Sequence, residues 1–500
     1  MATVFIDGFD KYGPVSVNAF NASELTQGEW TVASSGGFLI KAGLSATGYS
    51  LYLPSPNGLM LSKTLPNNYS RLICGFRFST DLSGTFEITF TDSNTTQCSV
   101  SVNKTTGLFT VWTGDFFSGT KIVTSTTSIT ANTTHYLEVD MTFSATGTYN
   151  VWLDGVSLLT GTGNLKTTSN TTANQLQFLT SGTNAPVMQI DDLYLFDTTT
   201  SFNNAALLTN PRIETQYPVS DSQTQFTNVG TIIGQSYNVT LSGNDPGANT
   251  LFLRRFQSSV AQTVNSISCV PQTTNATANF KAVIYSDSAG NPNTLLSSGT
   301  QVTGTTANAT LTGALTTPQA LTAGTFYWIG FIGDTDITLQ NVDSTTTGQQ
   351  AANTYSSGAP ATAPTMSINH ASWVLWGNCT GAATNWEAVD IDPQPGDISS
   401  IKSSTVGNED LYNFPGLTTN PLNIYTMAVK ANCKRSDSGP RTIDLRTKSG
   451  ATDSGGSVTG QTPATSYVWQ DSYFDTDPAT GAAWTTTGVN SAISGPKVSS

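Results

Sequence analysis

"HYLEVDMTFSATGTYNVWLDGVSLLTGTG" (135–163) contains two runs in which apolar side chains fall two residues apart. Leu137, Val139, Met141 and Phe143 alternate with Glu138, Asp140 and Thr142. Tyr149, Val151 and Leu153 alternate with Thr148, Asn150 and Trp152. A period of two sends one set of side chains inward and the other toward solvent, which is the pattern of a half-buried β-strand. Asp154-Gly155 follows the second run directly and supplies the backbone freedom of a two-residue hairpin turn. The stretch therefore predicts consecutive antiparallel strands with one buried face.

The same alternation recurs on either side, in "RLICGFRFS" (71–79), "GTFEITFTD" (84–92) and "MQIDDLYLFD" (188–197). No segment of useful length competes with a helical period. Only 11% of the 500 residues are charged and 10% are aromatic, against roughly 25% charged in ordinary soluble domains. Thr, Ser, Asn and Gly take the place of charge, which suits strands joined by tight turns. The length exceeds one hydrophobic core, so several domains are expected. Together these observations predict an all-β protein of three antiparallel β-sandwich or jelly-roll domains.

Net charge is −13 and no cluster of Lys or Arg occurs, so nucleic acid and anionic membrane surfaces are not expected partners. No stretch approaches the ~18 apolar residues of a membrane span, and "MATVFIDGFDKYG" lacks a secretory pattern. Synthesis in a cytoplasm is the expectation. Cys74, Cys98, Cys269, Cys379 and Cys433 are scattered and read as buried thiols, with Cys269 and Cys379 near enough in the chain order to share a domain. The sequons at Asn94, Asn132, Asn170 and Asn275 follow from the abundance of Asn and Thr.

Catalytic patterns are missing. His135 and His370 are the only histidines, and no nucleophile elbow, HExxH or P-loop occurs. Asp191 and Asp192 read as structural residues of a strand, and no enzyme activity is expected. Asp390, Asp392 and Asp397 in "VDIDPQPGD" could offer hard oxygens to Ca²⁺; no other cofactor is expected. For a sugar, aromatic faces are the candidates, and Tyr327, Trp373 and Trp376 in "TFYWIGF" and "SWVLWGNCT" are the residues singled out. Trp112 and Trp152 read as core.

The stretch 135–163 followed by "MQIDDLYLFD" resembles the second half of a concanavalin-like (laminin-G-like) jelly roll. "FIDGFDKYG" is similar to openings of such domains in bacteriophage structural proteins. "QYPVSDSQTQFT" (216–227) with "NWEAVDIDPQPGDISSIKSSTVGNEDLYNFPGL" (385–417) resembles a β domain of tailed-phage virion proteins. "IYSDSAGNPNTLL" with "LTAGTFYWIGF" resembles jelly-roll modules of bacterial surface and phage proteins. The family resemblances of these stretches imply bounds of 1–200, then 201–230 plus 384–500 as one discontinuous domain, with 231–383 inserted into a loop of it. These resemblances imply a tailed-phage virion structural protein on the particle surface. A tail-fibre, receptor-binding or adaptor component touching host-surface glycans comes first. A capsid decoration, head-fibre or neck protein with a purely structural role is the alternative. Partners would be other virion proteins and further copies of the chain, and the location would be the virion.

Overall fold

The computed structural model describes residues 2–12, 29–32, 39–44, 48–53, 60–181, 188–197, 208, 211–234, 245–258, 261–341, 348–368, 373–380, 384–389 and 400–500. Strands dominate, and helix among the described residues is confined to short pieces such as Asn385–Val389 and Thr486–Ser491. The described residues gather into two compact units: 2–217 together with 413–500, and 218–412.

The first unit contains two antiparallel sheets. One runs in the order Val156–Gly163, Gly147–Leu153, Thr134–Thr142, Arg71–Thr80, Met188–Phe196, Tyr49–Leu53 and Leu39–Ala42, with Thr3–Asp7 also pairing with Met188–Phe196. The other runs Thr120–Ser128, Leu108–Thr113, Thr95–Val102, Thr85–Asp92, Ala173–Ser181, Met60–Tyr69 and Thr31–Val32. Neighbours distant in sequence, such as 71–80 beside 188–196, give the crossed connections of a jelly roll. The turn read from the sequence is present: Leu153 faces Val156, while Asp154 and Gly155 have φ of 51° and 78°.

Inward residues of the two sheets meet as an aromatic core. Phe76, Phe78, Phe86 and Phe178 are all buried, and the Phe76 and Phe178 rings stand edge to face at 5.3 Å. Burying each such ring contributes about 1.5–3 kcal/mol from transfer alone. The C-terminal strands of this unit are Met427–Cys433 paired with Val468–Phe474, and Ile443–Ser449 between Thr452–Ser454 and Ile493–Val498. By compactness residues 413–500 group with the first sandwich.

The second unit is built on an extended antiparallel sheet. Its central strand order is Thr250–Gln257, Phe326–Gly333, Asn275–Ser288, Asn291–Thr305, Leu311–Leu321, Gln262–Cys269, Leu375–Thr380 and Thr227–Gly234. The hairpin expected at "SAGNPN" closes with Ser288 facing Asn291, and Ala289 and Gly290 adopt φ of 52° and 84°. Core lies on both faces of the 326–333 strand. Tyr327, Ile329 and Phe331 pack with Phe252 and Trp373 on one side. Trp328 and Ile332 pack with Leu251, Leu253 and Tyr285 on the other. "NWEAV" forms the single helical turn Asn385–Val389, whose Asn385 and Trp386 amides donate to the Asp221 carboxylate. An acidic group there satisfies amides that the short helix leaves open.

All five cysteines are free thiols and four of them are buried. No helix among the described residues is long and apolar enough to cross a membrane.

Candidate functional site

The strand Thr85–Asp92 is buried along its whole length, although alternate residues are polar. Phe86, Ile88 and Phe90 point into the sandwich, which leaves Glu87, Thr89 and Thr91 on the outer face. Register carries that face across the sheet. Ser62 pairs with Gln177, Gln177 with Thr89, Thr89 with Ser99, Ser99 with Trp112, and Trp112 with Lys121. A parallel row joins Glu87, Ser101, Thr110 and Thr124. The outer face is therefore lined by amides, hydroxyls, one carboxyl and one indole; the polar groups of the inner strands are buried and the Trp112 ring is half-buried.

These groups hold one another in place. Thr89 Oγ1 donates to Gln177 Oε1 at 3.2 Å, Thr91 Oγ1 donates to Gln175 Oε1 at 2.9 Å, and Gln177 Nε2 donates to Gln175 Oε1 at 2.7 Å. Trp112 Nε1 donates to Ser101 Oγ at 2.9 Å, which fixes the indole plane. The segment after Trp112 folds back over this end. Ser99 Oγ donates to Gly114 O at 2.9 Å, and Phe116 N donates to Glu87 Oε1 at 2.6 Å. Asp115 Oδ1 caps the turn by accepting from Phe117 N and Ser118 N.

The turn brings three aromatic rings together. Trp112 and Phe116 meet edge to face at 5.5 Å, Phe116 and Phe117 at 5.4 Å, and Phe117 is 70% exposed. Glu87 completes the set. Its burial, with Asp115 nearby, pushes its carboxyl up to about 7 against the pull of Ser99 and the Phe116 amide.

The residues singled out from the sequence lie elsewhere, and their reading as sugar platforms is corrected. Tyr327, Trp373 and Trp376 are 7%, 0% and 1% exposed, all in the second unit. Trp373 packs edge to face on Phe252 at 5.4 Å, and the Tyr327 hydroxyl accepts from Thr322 N. Their faces are covered by core side chains, so no ring can stack on them. Asp390, Asp392, Asp397 and His370 lie outside the described residues. Among the described residues, no group of three or more His, Cys, Asp or Glu is placed to hold a metal ion.

Trp112 and Trp152 are corrected in the opposite sense. Both are half-buried and face outward, Trp152 opposite Glu138. The signal was the parity of "LFTVWT", which places Trp112 with Thr110 and against Phe109 and Val111. Asp191 and Asp192 sit at a shift in strand register, and Asp192 has a φ of 50°. Asp192 Oδ2 accepts from Arg77 Nε at 3.0 Å and Asp191 Oδ2 from Leu44 N at 2.8 Å. These bonds tie strand to loop. His135 Nδ1 lies 2.7 Å from Asp154 Oδ2 at the hairpin, a structural contact.

No protein-family model matches this chain, and no curated protein does. Solved structures do. Carbohydrate-binding module CBM66 from Bacillus subtilis is similar over 35% of this chain and 98% of its own, at 10% identity and a TM-score of 0.26. The metal-free carbohydrate recognition domain of Emp46p is similar over 39% of this chain and 98% of its own, at 13% identity and a TM-score of 0.27. A carbohydrate esterase from the Shiga toxin-encoding bacteriophage phi24B is similar over 39% of this chain and all of its own, at 14% identity and a TM-score of 0.28. At such identities the likeness is one of β-sandwich fold.

The expectation that the chain is not an enzyme is corrected at this point. The similar structures include that esterase, an alginate lyase and an endo-β-1,4-glucuronan lyase from Trichoderma reesei.

Proposed function

We propose that the outer face of the sheet built around Thr85–Asp92 binds glycans, and that the chain does so as a surface component of a tailed-phage virion, in a tail fibre or adaptor. One observation carries the binding reading: the Trp112–Phe116–Phe117 cluster stands at the edge of this sheet with Trp112 half-buried and Phe117 70% exposed. A sugar ring presents hydroxyls around its rim and C–H groups on its faces. The half-buried Trp112 and exposed Phe117 rings take such a face. The composition, poor in charge and rich in Thr and Asn, favours the virion setting, where many copies turn weak contacts into firm attachment.

Trp112→Ala is the decisive variant. On a glycan array it is expected to lose at least tenfold in affinity for whichever glycans the parent chain retains, while its melting temperature stays within a few degrees. Equal binding by the variant overturns the site. Reducing-end release in the same incubations reads out cleavage, and proteomics of purified particles reads out the virion setting.

A further inference from the structure

We infer that the glycan taken at the Trp112 cluster carries a negatively charged group, a carboxylate or a sulfate, and that the Lys121 ammonium meets it; the inference rests on the glycan-binding reading above. Strand register carries it. Lys121 lies directly opposite Trp112, on Thr120–Ser128, the outermost strand of its sheet. Directly opposed residues of an antiparallel pair share a face and hold their Cβ atoms about 4.5–5.5 Å apart. The lysine stem therefore starts beside the indole, and its ammonium can reach the rim of a sugar lying on that ring. The groups invoked are open to a ligand: Lys121 is exposed, Trp112 is half-buried and Phe117 is 70% exposed.

Lys121 is also uncommitted. Among the described residues it makes no hydrogen bond, ion pair or ring contact, whereas Arg71, Arg77 and Lys430 are spent on Asp140, Asp192 and Glu29, and Lys166 gives its Nζ to Ser169 O. The acidic groups around the cluster are occupied or covered. Asp115 accepts from Phe117 N, Ser118 N and Ser118 Oγ. Glu87 is 3% exposed and accepts from Phe116 N. A chain of net charge −13 repels anionic glycans at a distance, so an acidic sugar is held only where a local cation meets it. Beside an indole, which excludes water from one side, that attraction is stronger than in bulk solvent. Lysine presents a compact charge on a flexible stem rather than a rigid fork, so it suits a carboxylate and a sulfate alike.

Ligands matched except for the acid are titrated calorimetrically at low salt: oligoglucuronate against cello-oligosaccharide, sialyllactose against lactose, and sulfated against unsulfated cello-oligosaccharide. In at least one pair the acidic member is expected to bind about threefold tighter or better, the contribution of one exposed ammonium–anion contact, and the pair that shows it separates carboxylate from sulfate. Lys121→Gln is expected to abolish this preference while leaving neutral affinity within twofold, Lys121→Glu to reverse it, and high salt to erase it in the parent chain. Neutral ligands that bind as well as acidic ones, or a preference for the acid that survives Lys121→Gln, overturn this inference; if that binding is still lost in Trp112→Ala, the glycan reading stands. Binding by neither class, or binding insensitive to Trp112→Ala, overturns the glycan reading itself.

Discussion

Asp10 shows how a single side chain sets a pH limit. Its Oδ1 accepts from Tyr49 N at 2.6 Å, and it sits close enough to Asp192 and Asp7 to feel both charges. Burial is the largest influence and lifts the carboxyl from 3.8 to about 6, against the Tyr49 and Thr215 hydrogen bonds. Asp191 is raised further, to about 8, by burial and by Asp192. Between the unfolded value of 3.8 and the folded value near 6, the folded chain binds more protons than the unfolded one. Stability supplied by this group is thus present at low pH and lost as pH rises through about 6. Asp10→Asn keeps an acceptor for Tyr49 N. At pH 8 it is expected to gain on the order of 1–3 kcal/mol in urea unfolding, and the gain should vanish at pH 4. An unchanged slope of stability with pH removes Asp10 from the account. Residue-scale legibility divides along one physical line. Trp112 was misread as core although the signal was present, because its sheet has one apolar and one polar face and parity there tells in from out. Tyr327 offered no such signal, because Tyr327 and Trp328 enter separate cores on opposite faces and alternation carries no contrast there.

At the scale of elements, the pair Met427–Cys433 and Val468–Phe474 is held to the first sandwich by a buried ionic network. Lys430 Nζ lies 2.8 Å from Glu29 Oε1, and Lys11 pairs with both Glu29 and Asp7. Trp30 Nε1 and the Tyr12 hydroxyl donate to Asp7 Oδ2 at 3.0 and 3.1 Å. Burial alone would raise the Glu29 carboxyl, yet Lys11, Lys430 and Lys63 hold it well below the ordinary carboxylate range. Removing one member of such a network strands its partner's charge in a poor solvent, at a cost of about 3–5 kcal/mol. Lys430→Met is expected to lose that much in chemical denaturation, and Lys430→Met with Glu29→Leu should recover most of it. Failure of the double variant to recover would mean that Glu29 is not the group Lys430 serves. None of this was visible in the sequence, because Glu29 and Lys430 are 401 residues apart and neither lies in a pattern that local periodicity can read.

For the whole molecule, the 218–412 unit has its two chain ends fastened to each other. Gln225 N and Phe226 N donate to Asp410 Oδ1 at 2.5 and 2.8 Å, Asn385 Nδ2 donates to Asp410 Oδ2 at 2.6 Å, and Gln223 Nε2 donates to Glu409 at 3.3 Å. Its core is internal, with entry and exit side by side, which is the condition for folding alone. Residues 218–412 expressed by themselves are expected to melt cooperatively, with a dispersed amide spectrum. Residues 1–217 expressed without 413–500 are expected to melt lower than the same segment supplemented with 413–500, since Glu29 then lacks Lys430. A collapsed spectrum for 218–412 would show that its stability is borrowed. The hairpins and the all-β class were legible at this scale because they are local. The assignment of 413–500 to the first unit was not, since it rests on contacts between the chain's two ends.

The burial of the thiols bears on where such a chain can travel. Burial pushes the Cys379 and Cys433 thiols up to about 12 and those of Cys74, Cys98 and Cys269 higher still. Sulfur that stays protonated is a poor nucleophile toward disulfides and peroxides. Four of the five sulfurs are thereby shut away from disulfide exchange and peroxide, leaving Cys433 as the partly accessible one.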